Sequence, residues 1–246
     1  MSDIKYIKSL QANKEISKQY YLKSITKTYQ QKFLEEKILS TILKELKEEP
    51  KIILDIACGA GTLTYHISKI FSKSKFILID LNPEAIEIAK KINANLENVD
   101  YLVEDFNSTS IPENFSDLSL CIQTILSISK PKKFIEQIIR VTKKDKYFIL
   151  SGLFNLEHDV DIYCKVRDLT RKNKTKLIYN TFSYETISRW IASKVQHFNI
   201  IPFDLPEPLP KESRGLGSYT IKTHDNRYLT ISGGMLLQWG FLVGKK

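Results

Sequence analysis

The chain has 246 residues, a hydrophobic fraction of 42% and a formal net charge of +9. That length and apolar content suit one large globular domain with a sizeable core. No apolar run is long enough to predict a transmembrane span, no apolar signal core follows M-S-D-I-K-Y-I-K, and Cys58, Cys121 and Cys164 are too scattered for a disulfide framework or a metal site, so a cytoplasmic protein without a metal centre is expected.

The positive charge is a weak argument for nucleic acid. The basic residues are overwhelmingly lysine, and the chain is also rich in isoleucine and asparagine, a combination that suggests AT-rich coding. The densest basic run is Lys165–Lys176, where Arg167 and Arg171 have i,i+4 spacing and read as a basic helix face. Its alternatives are a solvated face, a site for an anionic small substrate, or a nucleic-acid contact.

Residues 1–30 are polar with scattered aromatics, including Tyr20, Tyr21 and Tyr29, and read as one or two short helices. Leu34, Ile38, Leu39, Ile42 and Leu46 recur at helical intervals, and Pro50 ends that helix. Strands are then predicted near 52–57, 76–80, 100–104, 117–122 and 147–153, with helices near 62–72, 83–94 and 131–143. Such βα alternation implies a parallel sheet with right-handed crossovers. Asn82 and Pro83 are a helix cap and first helical residue, and Ser183 caps a further helix through Trp190 and Lys194. A strand at Phe198–Phe203 precedes a proline-rich stretch. Tyr219–Thr223 and Tyr228–Ser232 flank His224-Asp225-Asn226 as a hairpin, and Leu237–Val243 is the last strand.

The run Ile52–Gly61, I-I-L-D-I-A-C-G-A-G, is the most informative part of the chain. It reads as a buried strand, a turn of small residues and the start of a helix, the unit that lets a nucleotide-like ligand touch backbone at the carboxyl edge of a parallel sheet. There is no G-K-[ST], so a phosphate P-loop is excluded. A dinucleotide fingerprint would place Gly or Ala where Thr64 stands. Small residues at two-step spacing after an acid, Asp55, Ala57, Gly59 and Gly61, fit better. Asp80 ends the second strand about 20 residues beyond the turn, the position of a ribose-binding acid.

These segments resemble the motifs of class I S-adenosylmethionine (SAM) dependent methyltransferases over roughly residues 33–155. The resemblance implies a Rossmann-like, doubly wound, seven-stranded and mostly parallel α/β sheet with an antiparallel last strand. It implies one domain over 1–246, with an N-terminal helical segment at 1–48, a SAM-binding core at 51–155 and cap insertions at 156–182 and 206–235. The cofactor would be SAM, leaving as S-adenosylhomocysteine. Asp55, Ala57, Gly59 and Gly61 would approach its amino-acid end, Asp80 and Leu81 the ribose, and Asp105 and Phe106 the adenine, with Glu104 competing with Asp105. Gln123 would lie beside the sulfur, and Tyr21, with Tyr20, could close the pocket.

Methyl transfer to oxygen benefits from a general base. His158, just past the fifth strand, is the first candidate and His224 on the hairpin tip the second; His66 and His197 read as structural or surface residues. The N/D-P-P-[FY] motif of planar-nitrogen methylation is absent, its place taken by Gln123-Thr124-Ile125-Leu126. A small polar acceptor is therefore expected. A looser resemblance of the C-terminal half to surface-polysaccharide enzymes makes it a sugar or nucleotide-activated sugar, with Lys165–Lys176 facing phosphates and Tyr219, Tyr228, Gln238 and Trp239 near the sugar. An RNA or protein acceptor, a non-catalytic SAM-binding protein and a dinucleotide oxidoreductase remain as alternatives. The assembly is expected to be a monomer or homodimer.

Overall fold

A computed structural model describes residues 30–44, 46, 48–167, 176–205, 207–210, 218–232, 235–236 and 238–246. At its centre lie β1 (Ile52–Ile56), β2 (Lys75–Asp80) and β4 (Ser116–Cys121), buried on both faces, β1 and β2 as near-continuous apolar runs and β4 with Ser116, Asp117 and Ser119 among its buried residues. With β3 (Val99–Val103), β5 (Thr142–Asn155), β8 (His197–Phe203) and β12 (Gln238–Lys245) they form a path in the order β3-β2-β1-β4-β5-β12-β8. The pairs along β3-β2-β1-β4-β5 are parallel, and β12 runs antiparallel between β5 and β8.

Period-two alternation divides each strand between two cores. Leu54, Ile56, Ile77 and Ile79 pack on one face under α4 (Pro131–Val141) and α5 (Tyr184–Ile191), through Ile135, Ile138, Ile187 and Ile191. Ile53, Phe76 and Leu78 pack on the other, beneath α1 (Gln30–Leu43), α2 (Thr62–Ile67) and α3 (Pro83–Ile92), through Leu39, Leu43, Leu63, Ile67, Ile86 and Ala89. The expected caps are present: Asn82 Oδ1 accepts from Glu84 N at 3.0 Å, and Ser183 Oγ accepts from Thr186 N at 3.1 Å. Helices α2, α3 and α4 end earlier than expected, and α3 stops at Ile92, where Asn93 Nδ2 donates to Ala89 O at 3.0 Å. α4 stops at Val141 because Thr142 enters β5 at once and its hydroxyl donates to Ile138 O at 2.7 Å. α2 stops at Ile67, where Ser68 Oγ bonds Tyr65 O.

The path from β3 to β8 is the expected seven-stranded, mostly parallel sheet with an antiparallel last strand, and among the described residues two further strands bring it to nine. β5 outruns β4, and β7 (Lys176–Ser183) pairs with its last residues, Leu153–Asn155, bringing β6 (Ile162–Arg167) as an antiparallel edge strand. The expected basic helix is therefore corrected at its start. Ile162-Tyr163-Cys164-Lys165 alternates half-buried and exposed residues, a strand period, and Lys165 and Arg167 lie on β6. Residues 168–175, with Arg171, Lys172 and Lys174, lie outside the described residues. Between β8 and β12 the chain forms the expected hairpin, β9 (Ser218–Lys222) and β10 (Tyr228–Ser232), extended by β11 (Met235–Leu236). No helix among the described residues is long and apolar enough to cross a membrane.

Candidate cofactor and acceptor site

The carboxyl ends of β1 and β4 mark the switch point of the sheet. The chain leaves β1 into α2 on one face and leaves β4 toward α4 on the other, so a crevice opens between neighbouring strands, the usual ligand position in open α/β sheets.

The turn after β1 is built on left-handed backbone, with φ of 56° at Ala57, 57° at Gly59 and 70° at Gly61. It is tied twice to the end of β2. Cys58 N donates to Ile79 O at 3.0 Å, and Gly59 N donates to Asp80 Oδ2 at 2.9 Å. Gly61 admits no side chain: a Cβ would stand 2.7 Å from Asn93 Nδ2, 2.9 Å from Ala89 Cβ and 3.0 Å from Leu78 Cδ2. The structure also explains Thr64. Its hydroxyl donates to Asp55 Oδ2 at 2.8 Å, holding a carboxylate that is 2% exposed at the end of β1.

Asp80 Oδ1 accepts from Asn82 N at 2.8 Å, so its carboxylate joins the glycine turn to the start of α3. Leu81 lies between these groups, half-buried. After β3 the competition between Glu104 and Asp105 separates cleanly. Glu104 is committed to the Thr109–Ser110 turn, accepting from Thr109 Oγ1, Ser110 N and Ser110 Oγ. Asp105 Oδ1 caps the following 3-10 turn through Asn107 N at 2.9 Å. Phe106 is placed in the core, edge-on to Phe134 with centroids 5.5 Å apart, so little of its ring remains for an adenine.

After β4, Gln123 also has left-handed backbone, φ 59°. Its N–H donates to Ser151 Oγ at 2.8 Å, and its Nε2 is buried without a hydrogen-bond partner among the described residues.

Two groups absent from the sequence reading stand at this edge. Glu36 Oε1 accepts from Thr62 Oγ1 at 2.7 Å, and Glu36 Oε2 lies 3.3 Å from His66 Nε2. Glu35 Oε2 accepts from Ser151 Oγ at 3.3 Å. Both carboxylates are buried, at 0% for Glu35 and 2% for Glu36. The available signal was two charges, Glu35-Glu36, beside the apolar stripe of α1 instead of opposite it.

Both candidate bases are exposed. His158 is exposed on the turn after β5, where its N–H donates to Asn155 Oδ1 at 3.3 Å and its carbonyl accepts from Val160 N at 2.8 Å. His224 is exposed at the β9–β10 tip. The hairpin is anchored at the same end of the sheet by Arg227, whose Nε and Nη2 bond Asp204 at 2.8 and 3.2 Å. That bond, first, and the charge of Asp204 push the guanidinium pKa up. The hairpin register puts Tyr219 with Ile221 and Leu229 on one face and Tyr228 with Thr220 and Lys222 on the other, so the two tyrosines cannot share a ligand. Tyr20 and Tyr21 lie outside the described residues. No group of His, Cys, Asp and Glu suited to a metal ion occurs among the described residues.

Comparison with known proteins agrees with the fold and the turn. Residues 47–198 match the family described as "Methyltransferase domain" (Methyltransf_31), and the chain belongs to that family of class I SAM-dependent methyltransferases, whose cofactor is SAM. A ribosomal protein L11 methyltransferase of Thermotoga maritima is 30% identical over 118 residues, covering 48% of this chain and 43% of its own. The chain thus spans less than half the length of that relative. Among solved structures, the putative methyltransferase in complex with the Haloferax volcanii Trm112 methyltransferase activator superposes with a TM-score of 0.62 at 14% identity, covering 93% of this chain and 96% of that one. The Burkholderia thailandensis 1,6-didemethyltoxoflavin-N1-methyltransferase, bound to its acceptor and S-adenosylhomocysteine, gives 0.56 at 13% identity, covering 86% and 77%. At these identities the superpositions speak for the fold alone.

Proposed function

We propose that this protein transfers the methyl group of SAM to a hydroxyl on a small polar acceptor, with a sugar or nucleotide-activated sugar as the class to test first. The observation that carries methyl transfer is the β1/β4 crevice. A left-handed turn of small residues, two buried carboxylates at Asp55 and Asp80, and Gln123 Nε2, without a partner among the described residues, converge on one sheet edge. Small residues allow close backbone approach, and the carboxylates suit an ammonium and ribose hydroxyls. In this reading Asp55, Ala57, Gly59 and Gly61 face the amino-acid end, Asp80 and Leu81 the ribose, Asp105 the adenine amine and Phe106 the edge of the ring, with Gln123 toward the sulfur.

When bound, SAM supplies the methyl electrophile and the thioether leaving group. The protein orients the acceptor oxygen in line and removes its proton. His158 is the proposed base because it stands just past β5 at this edge, with His224 second. Three observations support a small polar acceptor. No planar-nitrogen motif occupies Gln123–Leu126, the anchored hairpin brings Tyr228, Thr220 and Lys222 to one face, and Lys165 and Arg167 lie on the neighbouring β6. A protein or RNA acceptor is the second reading, favoured by the L11 methyltransferase relative and the basic run. It requires binding that weakens steeply with salt.

Calorimetric titration with SAM and with NADH, on wild type and Asp80→Ala, tests the cofactor. SAM binding weakened at least about tenfold in the variant is expected, since hydrogen bonds to a charged group contribute about 1.5–3 kcal/mol. NADH binding without SAM binding would overturn the reading. S-adenosylhomocysteine release in the presence of nucleotide sugars then tests the acceptor. His158→Ala should slow that release by about 10²-fold while sparing SAM affinity; unchanged turnover removes His158 from the mechanism.

A further inference from the structure

We infer that Glu35 and Ser151 are positioning residues that hold Gln123 as a hydrogen-bond donor to an oxygen of the bound cofactor; this rests on the methyltransferase reading above.

Gln123 is in a backbone state that side chains with a Cβ avoid, so the surroundings must hold it there. The restraint is a chain of three groups whose polarity is fixed. Gln123 N–H can only donate, and it meets Ser151 Oγ at 2.8 Å. The serine therefore accepts on that side and has its proton left to give. It gives it to Glu35 Oε2, 3.3 Å away. Ser151 and Glu35 are both fully buried, so water does not compete for either bond. The chain crosses the site, from α1 through β5 to the exit of β4.

The second observation is what this restraint holds in place. Of the buried side-chain polar atoms without a partner among the described residues, Gln123 Nε2 is the only nitrogen. A buried donor left unpaired is costly, and such groups in folded proteins need an explanation. Here it stands at the β1/β4 switch point, level with the Ala57 turn, where a bound molecule would supply the acceptor. If Gln123 relaxed to ordinary backbone geometry, its side chain would turn away and the donor would be lost without any direct contact having changed.

The test is calorimetric titration with S-adenosylhomocysteine, alongside melting temperatures of the ligand-free proteins, for wild type, Gln123→Met, Ser151→Ala, the double variant, Glu35→Gln and Glu35→Leu. Gln123→Met keeps length and removes the donor. Each of Gln123→Met and Ser151→Ala should weaken binding by about five- to tenfold, the equivalent of one hydrogen bond. If serine acts through Gln123, the double variant binds no more weakly than Gln123→Met alone. Glu35→Gln retains an oxygen that accepts from Ser151 and should stay near wild type, whereas Glu35→Leu should match Ser151→Ala. Losses that multiply in the double variant, or a Ser151→Ala protein that melts lower yet binds normally, would overturn the inference. Failure of the wild type itself to bind would instead remove the methyltransferase reading beneath it.

Discussion

Replacing Gly61 by alanine strikes the turn at its tightest point. Two costs can be worked from the structure. The backbone at φ 70° is left-handed, which costs a residue with a Cβ about 1–2 kcal/mol. The methyl group would also press on Asn93 Nδ2, Ala89 Cβ and Leu78 Cδ2 at 2.7–3.0 Å, closer than real contacts allow. Asn93 cannot swing aside freely. It is 1% exposed, and its Nδ2 donates to Gly61 O at 3.1 Å and Ala89 O at 3.0 Å. Overpacking of this kind costs about 1–3 kcal/mol. The sum, about 2–5 kcal/mol, is a large share of the roughly 5–15 kcal/mol that holds a domain folded. Urea denaturation followed by circular dichroism reads it as a lower midpoint at unchanged slope. Adding Asn93→Ala, which removes the nearest obstacle, should make the double variant less unstable than the two single losses combined. A loss below about 1 kcal/mol for Gly61→Ala would refute both the left-handed geometry and the close approach of α3.

Three other expectations bear on the core and its edges. Ala57→Gly relieves left-handed strain at φ 56° and should raise the ligand-free urea midpoint, by about 0.5–1 kcal/mol after the entropy glycine adds to the unfolded chain; a lower midpoint would contradict it. Burial alone would raise the Asp117 pKa, but hydrogen bonds from Lys143 Nζ at 2.9 Å and Ile52 N at 2.8 Å outweigh it and hold the carboxyl below its ordinary 3.8. A depressed acid stabilises above its unfolded pKa and loses that contribution as pH falls through the folded value, so the wild-type midpoint should drop below about pH 4 while Asp117→Asn, less stable at neutrality, falls less over the same window. Burial pushes the Cys121 thiol up to about 12, so thiol reagents at pH 8 should label half-buried Cys164 on β6 and leave Cys121 untouched, as peptide mass mapping would show.

The sheet was legible because its signals are local. Ile52-Ile53-Leu54 and Phe76-Ile77-Leu78 are strands by composition, Asn82-Pro83 and Ser183 are helix starts by side-chain chemistry, and Asp225-Asn226 is a turn by backbone tolerance. What failed depended on distant partners. Nothing in Lys165-Val166-Arg167 announces that β5 will outrun β4 and leave a lattice edge for β7, which then draws β6 beside it. Phe106 reads from its place after β3 as an adenine contact, and only the arrival of Phe134 from α4 puts the ring in the core. Glu35 and Glu36 carry no local signal of their role because their partners, Ser151 and Thr62, lie 116 and 26 residues away.

The distribution of backbone strain argues independently that the β1/β4 edge is the working part of the molecule. Five residues other than glycine have left-handed φ among the described residues. Asn114 and Asn226 sit in exposed turns and Asp145 at the exposed register shift of β5 against β4, and their short polar side chains make that conformation cheap. Ala57 and Gln123 have no such excuse. They follow β1 and β4, neighbouring strands that pair Asp55 with Leu120, and so fall side by side at one point of the sheet. Each is held by bonds from another element: the Ala57 turn by Ile79 O and Asp80, Gln123 by Ser151. Ordinary connections at these two places would be more stable and would need none of those buried acids and hydroxyls. Strain that is built twice, at adjacent strand ends and nowhere else without Asn or Asp, is best explained by a ligand that needs backbone to stand where relaxed backbone does not.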